Sequence, residues 1–392
     1  VDVHAAVLSV IAILGVALVV GVAAERLRIP YIVALLIVTL PLSPMQSDEH
    51  FAEAFLIVLL PTLIFEAAWN LNLAELLRTW RAVTFMAVPG VLITVGAIGG
   101  GLVLSGRLPL VPALLLGAIV APTDPIAVIA TFRRLKVPPE LAVTVEGESL
   151  FNDGVAVVLY AALAVALETG STVGPLALTG SVIAVAFGGA AIGIAVAGLA
   201  YVVVRFTVDR DLHVIGSLLV AYGAYIGAEA VHVSGIFAAL CGGIAYRWFE
   251  RRRNDDAIVE HVDTFWSIAA FFANTVVFML VGARIEVGRI VQHPFIILLT
   301  LVLVIVARLV VVYGVLPFLG VPQRAWQHVI ALSGIRGGIS LALALSLPHA
   351  LPFRDDIVDA VYGVVAITIL TQGLLLAPIM RRLPLAPVQS EA

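Results

Sequence analysis

Apolar runs of about 20 residues recur along the whole chain, and that is the length a helix needs to cross the hydrocarbon of a bilayer. Thirteen can be marked, at 4–25, 30–45, 50–72, 82–106, 109–131, 140–168, 177–204, 211–231, 234–249, 258–283, 291–318, 325–347 and 357–380. Hydrophobic residues make up 61% of the 392 and charged residues only 12%, against about 25% charged in soluble domains. The expected fold is therefore an all-α polytopic membrane protein with about 13 transmembrane helices. The second segment is short and bounded by prolines. The first lacks a basic leader and is read as a span, not a signal peptide. The chain opens at Val1 without a methionine, which points to a trimmed N-terminus.

Basic residues set an orientation. Sixteen of the 22 Lys and Arg residues follow odd-numbered segments, in clusters such as Arg133, Arg134, Lys136 and Arg251, Arg252, Arg253. Only Arg107, Arg284, Arg289 and Arg354 follow even-numbered ones, while Arg308 and Arg336 lie inside segments. The positive-inside rule then predicts an N-terminus outside and a C-terminus in the cytoplasm, in a cell (inner) membrane. A missed segment would have scrambled the alternation, so the bias also supports the count.

Thirteen segments divide into six, a linker and six. An offset of seven makes the second set enter from the opposite side, the inverted repeat of many secondary transporters. Such proteins place their sites at discontinuous helices in matching positions of the two halves. The fifth segment of the first half carries APTDPIAV, residues 121–128, where Pro122 and Pro125 remove donors and put Thr123 and Asp124 in unwound backbone. The fifth of the second half carries SGIRGGIS, residues 333–340, where Gly334, Gly337 and Gly338 weaken the helix. Two discontinuous crossing helices are thus expected. A Pro kink without function is the bland alternative.

The stretch GESLFNDG, residues 147–154, sets two acids and an amide in an apolar segment. Ser149 and Asp153 share one helical stripe, and Glu148 and Asn152 the next. The first stripe offers a carboxylate and a hydroxyl to a hard cation, which selects oxygen; the alternative is an Asp153 that only hydrogen-bonds within the fold. A buried Arg336 needs an acid partner, and Glu148 is the best candidate, in a role more architectural than ion-binding. Glu66 either binds the ion or snorkels. Arg308 either pairs or snorkels, Glu229 and His232 lie near an outer boundary, and Asn274 reads as a helix-packing hydrogen-bonder.

Several classes are excluded. Lys136, the only lysine, precedes Val137, so no Walker A loop exists. H-E-x-x-H and G-x-S-x-G are missing, so enzyme activity is not expected. The potassium-filter T-V-G-Y-G is also missing. No basic nucleic-acid surface is visible, no cofactor is implied, and the lone Cys241 allows no intrachain disulfide.

The motifs FEAAWNLN, APTDPIAV, GESLFNDG, AEAVHVSGIFA and SGIRGGISLALALSLP, in that order, resemble the sodium/proton antiporters of the monovalent cation:proton antiporter superfamily, of the NhaP type related to animal NHE exchangers. The resemblance runs over nearly the whole chain. It implies a homodimer with two bundles per protomer. Residues 1–81 and 211–290 would form the interface bundle, 82–170 and 291–382 the ion-transporting core, and 171–210 a linker helix. With a cytoplasmic tail of 383–392, regulation of the NHE kind is not expected. By motif, Asp153, Asp124, Ser149, Thr123 and Glu66 would ligate the cation, Asn152 and Thr123 would bridge the crossing helices, and Glu148 would pair with Arg336.

The expected function is exchange of Na⁺ or Li⁺ for H⁺ by alternating access, with monovalent cations, protons and membrane lipid as partners. A buried carboxylate is favoured neutral by desolvation and charged by a bound cation, so proton and cation compete for it. One titrating acid beside a neutral amide predicts electroneutral exchange, one for one. The alternatives are K⁺/H⁺ exchange on the same fold, or a passive cation channel.

Overall fold

The structure, a computed structural model, describes residues 3–27, 29–40, 55–170, 175–253, 255–285 and 287–385. The expected second segment beyond Leu40, the start of the third, and the tail from 386 on lie outside the described residues. Among the described residues every regular element is helical. They run α1 Val3–Leu27, α2 Tyr31–Thr39, α3 Leu60–Asn70, α4 Leu73–Leu104, α5 Leu110–Val120, α6 Ile126–Leu135, α7 Pro139–Thr169 and α8 Pro175–Val204. Then follow α9 Arg210–Ala230, α10 Gly235–Arg251, α11 Asp256–Arg284, α12 Val287–Gln292, α13 Pro294–Gly314, α14 Arg324–Leu332, α15 Gly338–Leu345 and α16 Arg354–Met380. Seven helices among the described residues are long and apolar enough to cross a membrane, and shorter apolar helices fill the intervening positions.

Local chemistry sets several ends. The Asn72 side chain accepts from the Ala74 and Glu75 amides and starts α4, Ser234 caps α10 through the Phe237 amide, and Gly170 closes α7 in the left-handed region at φ 63°. Pro89 cannot donate a backbone bond, and α4 passes it in a wide π turn over Met86–Gly90 and continues.

That continuity differs from expectation. The apolar pattern leaves residues 73–81 outside any segment, yet they form the first turns of α4, one helix that runs through positions 81 and 82. A hydropathy window does not register a polar turn such as Glu75–Arg78–Arg81, but the Asn72 cap and the burial of Leu76, Ala82 and Val83 hold it helical.

Helices pack in two groups. In the first, α3 and α8 both lie on α10, while α2 and α3 lie on α11. In the second, α4 packs on α5, α7 and α13, and α16 packs on α13 and α15. The α8–α10 contact is backbone to backbone: a Cβ at Gly189 or Gly193 would collide with the carbonyls of Ser234 and Ala238. Phe65, Trp69, Tyr246 and Trp266 form a separate aromatic core on the first group.

Candidate functional site

Both helix breaks occur where the prolines and glycines place them. Residues 121–125 separate α5 from α6, and residues 333–337 separate α14 from α15. Unwound backbone inside a membrane protein must find partners for its freed groups, and following those groups builds the site.

The two breaks meet. The Asp124 amide donates to the Ile335 carbonyl at 2.7 Å. The Asp124 carboxylate accepts from the Ile126 amide at 3.0 Å and from the Gly338 amide. It therefore caps the first turns of both α6 and α15, where the helix dipoles favour an anion. Gly337 allows this approach, because a Cβ there would run into the Asp124 side chain.

The third component is α7, which presents Ser149, Asn152 and Asp153 to the first break. The Ser149 hydroxyl donates to the Thr123 carbonyl. Asn152 bridges as expected: its amide donates to Thr123 Oγ1 at 2.8 Å, and its oxygen accepts from the Thr123 N–H at 3.4 Å. Asp153 is 8% exposed, and its Oδ1 has no hydrogen-bond partner. A buried carboxylate oxygen left without a donor is costly unless something else occupies it.

The Arg336 expectation is corrected. The Glu148 carboxylate is held by Arg308, through Nη1 to Oε1 and through Nη2 to Oε2 at 2.9 Å. Arg308 Nη2 also donates to the Ile330 carbonyl at 2.7 Å, which α14 leaves free because the helix ends at Leu332. Arg336 instead donates to the Ala121 carbonyl and, at 3.1 Å, to the Pro122 carbonyl. The reason is local: the residue four after Ala121 is Pro125, which has no N–H, and the amide four after Pro122, Ile126, is already given to Asp124. Arg336 supplies the donors that the Pro-bounded break lacks. Glu148, Arg308 and Arg336 still adjoin, lining with Thr123 and Asn152 a small cavity of about 20 Å³.

Asp153, Asp124, Ser149, Thr123 and Glu66 all line one larger cavity of about 370 Å³. Its walls come from both groups of helices: α2, α3 and α11 on one side, and the first break, α6, α7 and α15 on the other. Glu66 accepts from Asn70 Nδ2 at 2.8 Å. Among the described residues no three His, Cys, Asp or Glu side chains gather as a metal centre. A cation here would be met by carboxylates interleaved with neutral oxygens, as suits a hard ion that must also leave.

Sequence reasoning passed over four residues of this cavity. Glu146 and Arg133 line it beside Glu66; the spacing 146, 149, 153 on α7 was the available signal for Glu146. Asn274, read as a packing residue, lines the cavity with its Oδ1 unpartnered, and so does Ser340 with its Oγ. Glu229, by contrast, caps α10 through the Gly235 amide at 3.0 Å and stands apart from the cavity.

Two broken helices crossing at a buried aspartate, with a third helix presenting another, define a secondary transporter of the inverted-repeat class. The sodium/hydrogen exchanger transmembrane family matches residues 11–382, and the chain belongs to it. The Na⁺/H⁺ antiporter ApNhaP of Aphanothece halophytica is 36% identical over 387 residues, covering 95% of this chain and 73% of the relative. The Na⁺/H⁺ antiporter NhaH of Halobacillus dabanensis is 30% identical over 396 residues, covering 97% and 98%. The structure of the sodium proton antiporter MjNhaP1 from Methanocaldococcus jannaschii at pH 8 shares the fold, with a TM-score of 0.82 at 22% identity over 99% of this chain and 100% of that one.

Proposed function

We propose that this multi-pass membrane protein exchanges Na⁺ or Li⁺ for H⁺ by alternating access, with Asp153 as the carboxylate for which cation and proton compete. One observation carries the assignment: Asp153 is buried with an unpartnered oxygen, in a cavity that also holds Asp124, Ser149 and Thr123 at the crossing of two broken helices. Membership of the sodium/hydrogen exchanger family supports the ion pair.

Coupling follows from charge. A bound cation or a bound proton covers the Asp153 charge, whereas a bare carboxylate carried through a closed, dry state is penalised. Only the two loaded forms cross, so one flow is tied to the other. Asp124 is fixed between two helix N-termini, which makes it the anchored ligand and Asp153 the exchanging one. Thr123 and Ser149 add neutral oxygens, and Glu66 stands where an ion entering past α3 meets it.

The moving unit is the group built on α4–α7 and α12–α16, rocking against α1–α3 and α9–α11 with α8 as the link. The cavity lies on the boundary between them. The static group would carry the homodimer contact. The basic-residue bias supports an N-terminus outside and a C-terminus in the cytoplasm.

The test is purified protein in liposomes with an internal pH dye. Added Na⁺ or Li⁺ should move protons in the opposite direction, and Asp153→Asn should abolish the response. Proton movement with K⁺ alone would select K⁺/H⁺ exchange, and cation flux without proton counterflow would select a channel.

A further inference from the structure

Among the described residues most buried hydroxyls on or next to helices are satisfied by the preceding turn, although Thr300 on α13, away from the site, is not. Thr39 donates to Leu35 at 2.7 Å, Thr94 to Gly90 at 2.9 Å and Ser333 to Val329 at 2.7 Å. Ser340 is the exception in the second broken helix. It is 0% exposed, and its Oγ has no partner.

The cause lies in the break. Ser340 is the third residue of α15, so the carbonyls three and four positions back belong to Gly337, its extended N-cap, and to Arg336 in the break. No helical turn precedes Ser340 to offer the usual acceptor, and its Oγ bonds to neither carbonyl. The same first turn is pressed against the transport site, since Gly337 abuts Asp124 and the Gly338 amide reaches its carboxylate. Ser340 lines the 370 Å³ cavity together with Asp153, whose Oδ1 is likewise unpartnered. Ser340 and Asp153 therefore line one space, one from each half of the repeat, and each has a buried oxygen without a protein partner.

We propose that Ser340 is a cation ligand contributed by the second broken helix, adding a neutral oxygen to the ion held at Asp153. This rests on the antiport reading above and deepens it. With Ser340 included, the ion is gripped by the first break, by α7 and by α15, so binding ties both crossing helices into one unit. A hydroxyl suits this position because it adds no charge to the proton–cation exchange, and its oxygen is the hard donor that Na⁺ and Li⁺ select.

The test is steady-state exchange in proteoliposomes for Ser340→Ala and Ser340→Cys, with Asp153→Asn as control and thermal melting of each variant measured in detergent. Ser340→Ala should raise the KM for Na⁺ and Li⁺ about three- to tenfold, the scale of one neutral ligand, with maximal rate and melting temperature near wild type. Ser340→Cys keeps the side chain's shape but offers a soft donor, so it should weaken Na⁺ and Li⁺ more than Tl⁺. An unchanged KM for Na⁺ and Li⁺ in both variants overturns the assignment. So does a Ser340→Ala effect confined to melting temperature or maximal rate, which marks a packing role. If Asp153→Asn still exchanges, the antiport reading itself fails. If only the Ser340 variants are silent, that reading stands without this ligand.

Discussion

Arg308 and Glu148, 160 residues apart, form a two-pronged ion pair between α13 and α7, with the side chains 10% and 3% exposed. The pair ties the helix that carries Asp153 to a helix of the second half, and Arg308 extends the tie to the end of α14. Removing one partner of a buried pair leaves the other uncompensated, at about 3–5 kcal/mol. Arg308→Ala should therefore lower the melting temperature sharply in detergent. The exchange Glu148→Arg with Arg308→Glu should recover part of the loss, whereas Glu148→Arg with Arg336→Glu should not. Equal rescue by both double variants would undo the assignment of partners.

Asp153→Asn should abolish exchange while leaving a folded protein, because the amide keeps the shape but neither titrates nor supplies charge. Asp124→Asn should lose both transport and stability, since an anion between two helix N-termini is replaced by a neutral group. In the wild type, cation binding needs the deprotonated carboxylate. The apparent KM for Na⁺ should thus rise as pH falls, by up to about tenfold per pH unit once the site is mostly protonated. A KM independent of pH across the active range would separate the proton site from the cation site.

The helix breaks were legible because their causes are local. Pro122, Pro125, Gly334, Gly337 and Gly338 act on their own backbone, and the structure unwinds at 121–125 and 333–337. Asn152 bridging to Thr123 was likewise accessible, through the family resemblance of its motif. The partner of Glu148 was not. Arg308 and Arg336 both lie in apolar segments, and the choice between them turns on which carbonyls the first break strands. That follows from Pro125 lacking an N–H, but only once the two breaks are known to meet. Ser340 and Asn274 were hidden for a related reason: an unsatisfied oxygen is defined by what the packing fails to bring near it.

The crossing itself can be probed at Gly337. A methyl group there would overlap the Asp124 side chain, and interiors this closely packed yield little. Gly337→Ala should depress exchange strongly and lower the melting temperature. Gly100, with open space around its Cβ, is the control, and Gly100→Ala should leave transport unaffected. If Gly337→Ala transports like wild type, Asp124 does not approach this backbone in the working protein.

The charge moved per cycle is decided around Asn152. Its two polar ends are both committed to Thr123, one as donor to the hydroxyl and one as acceptor from the amide. It holds the first break against α7 and contributes no proton. Asp124, held by amides at two helix starts, is a fixed ligand in the proposed cycle. With Asp153 as the one exchanging acid of the proposed cycle, one proton goes against one Na⁺ with no net charge. Na⁺-driven proton movement should then be insensitive to a potential set with K⁺ and valinomycin. A cycle moving one net charge would instead couple at about 2.3 kcal/mol per 100 mV, about a fiftyfold change in driving ratio, so acceleration by a favourable potential would reject the one-for-one scheme. Asn152→Asp should not convert the protein to electrogenic exchange. It removes the donor to Thr123 Oγ1 and sets a second carboxylate beside Asp153, so the expected result is a slower, less stable antiporter with the same lack of response to voltage.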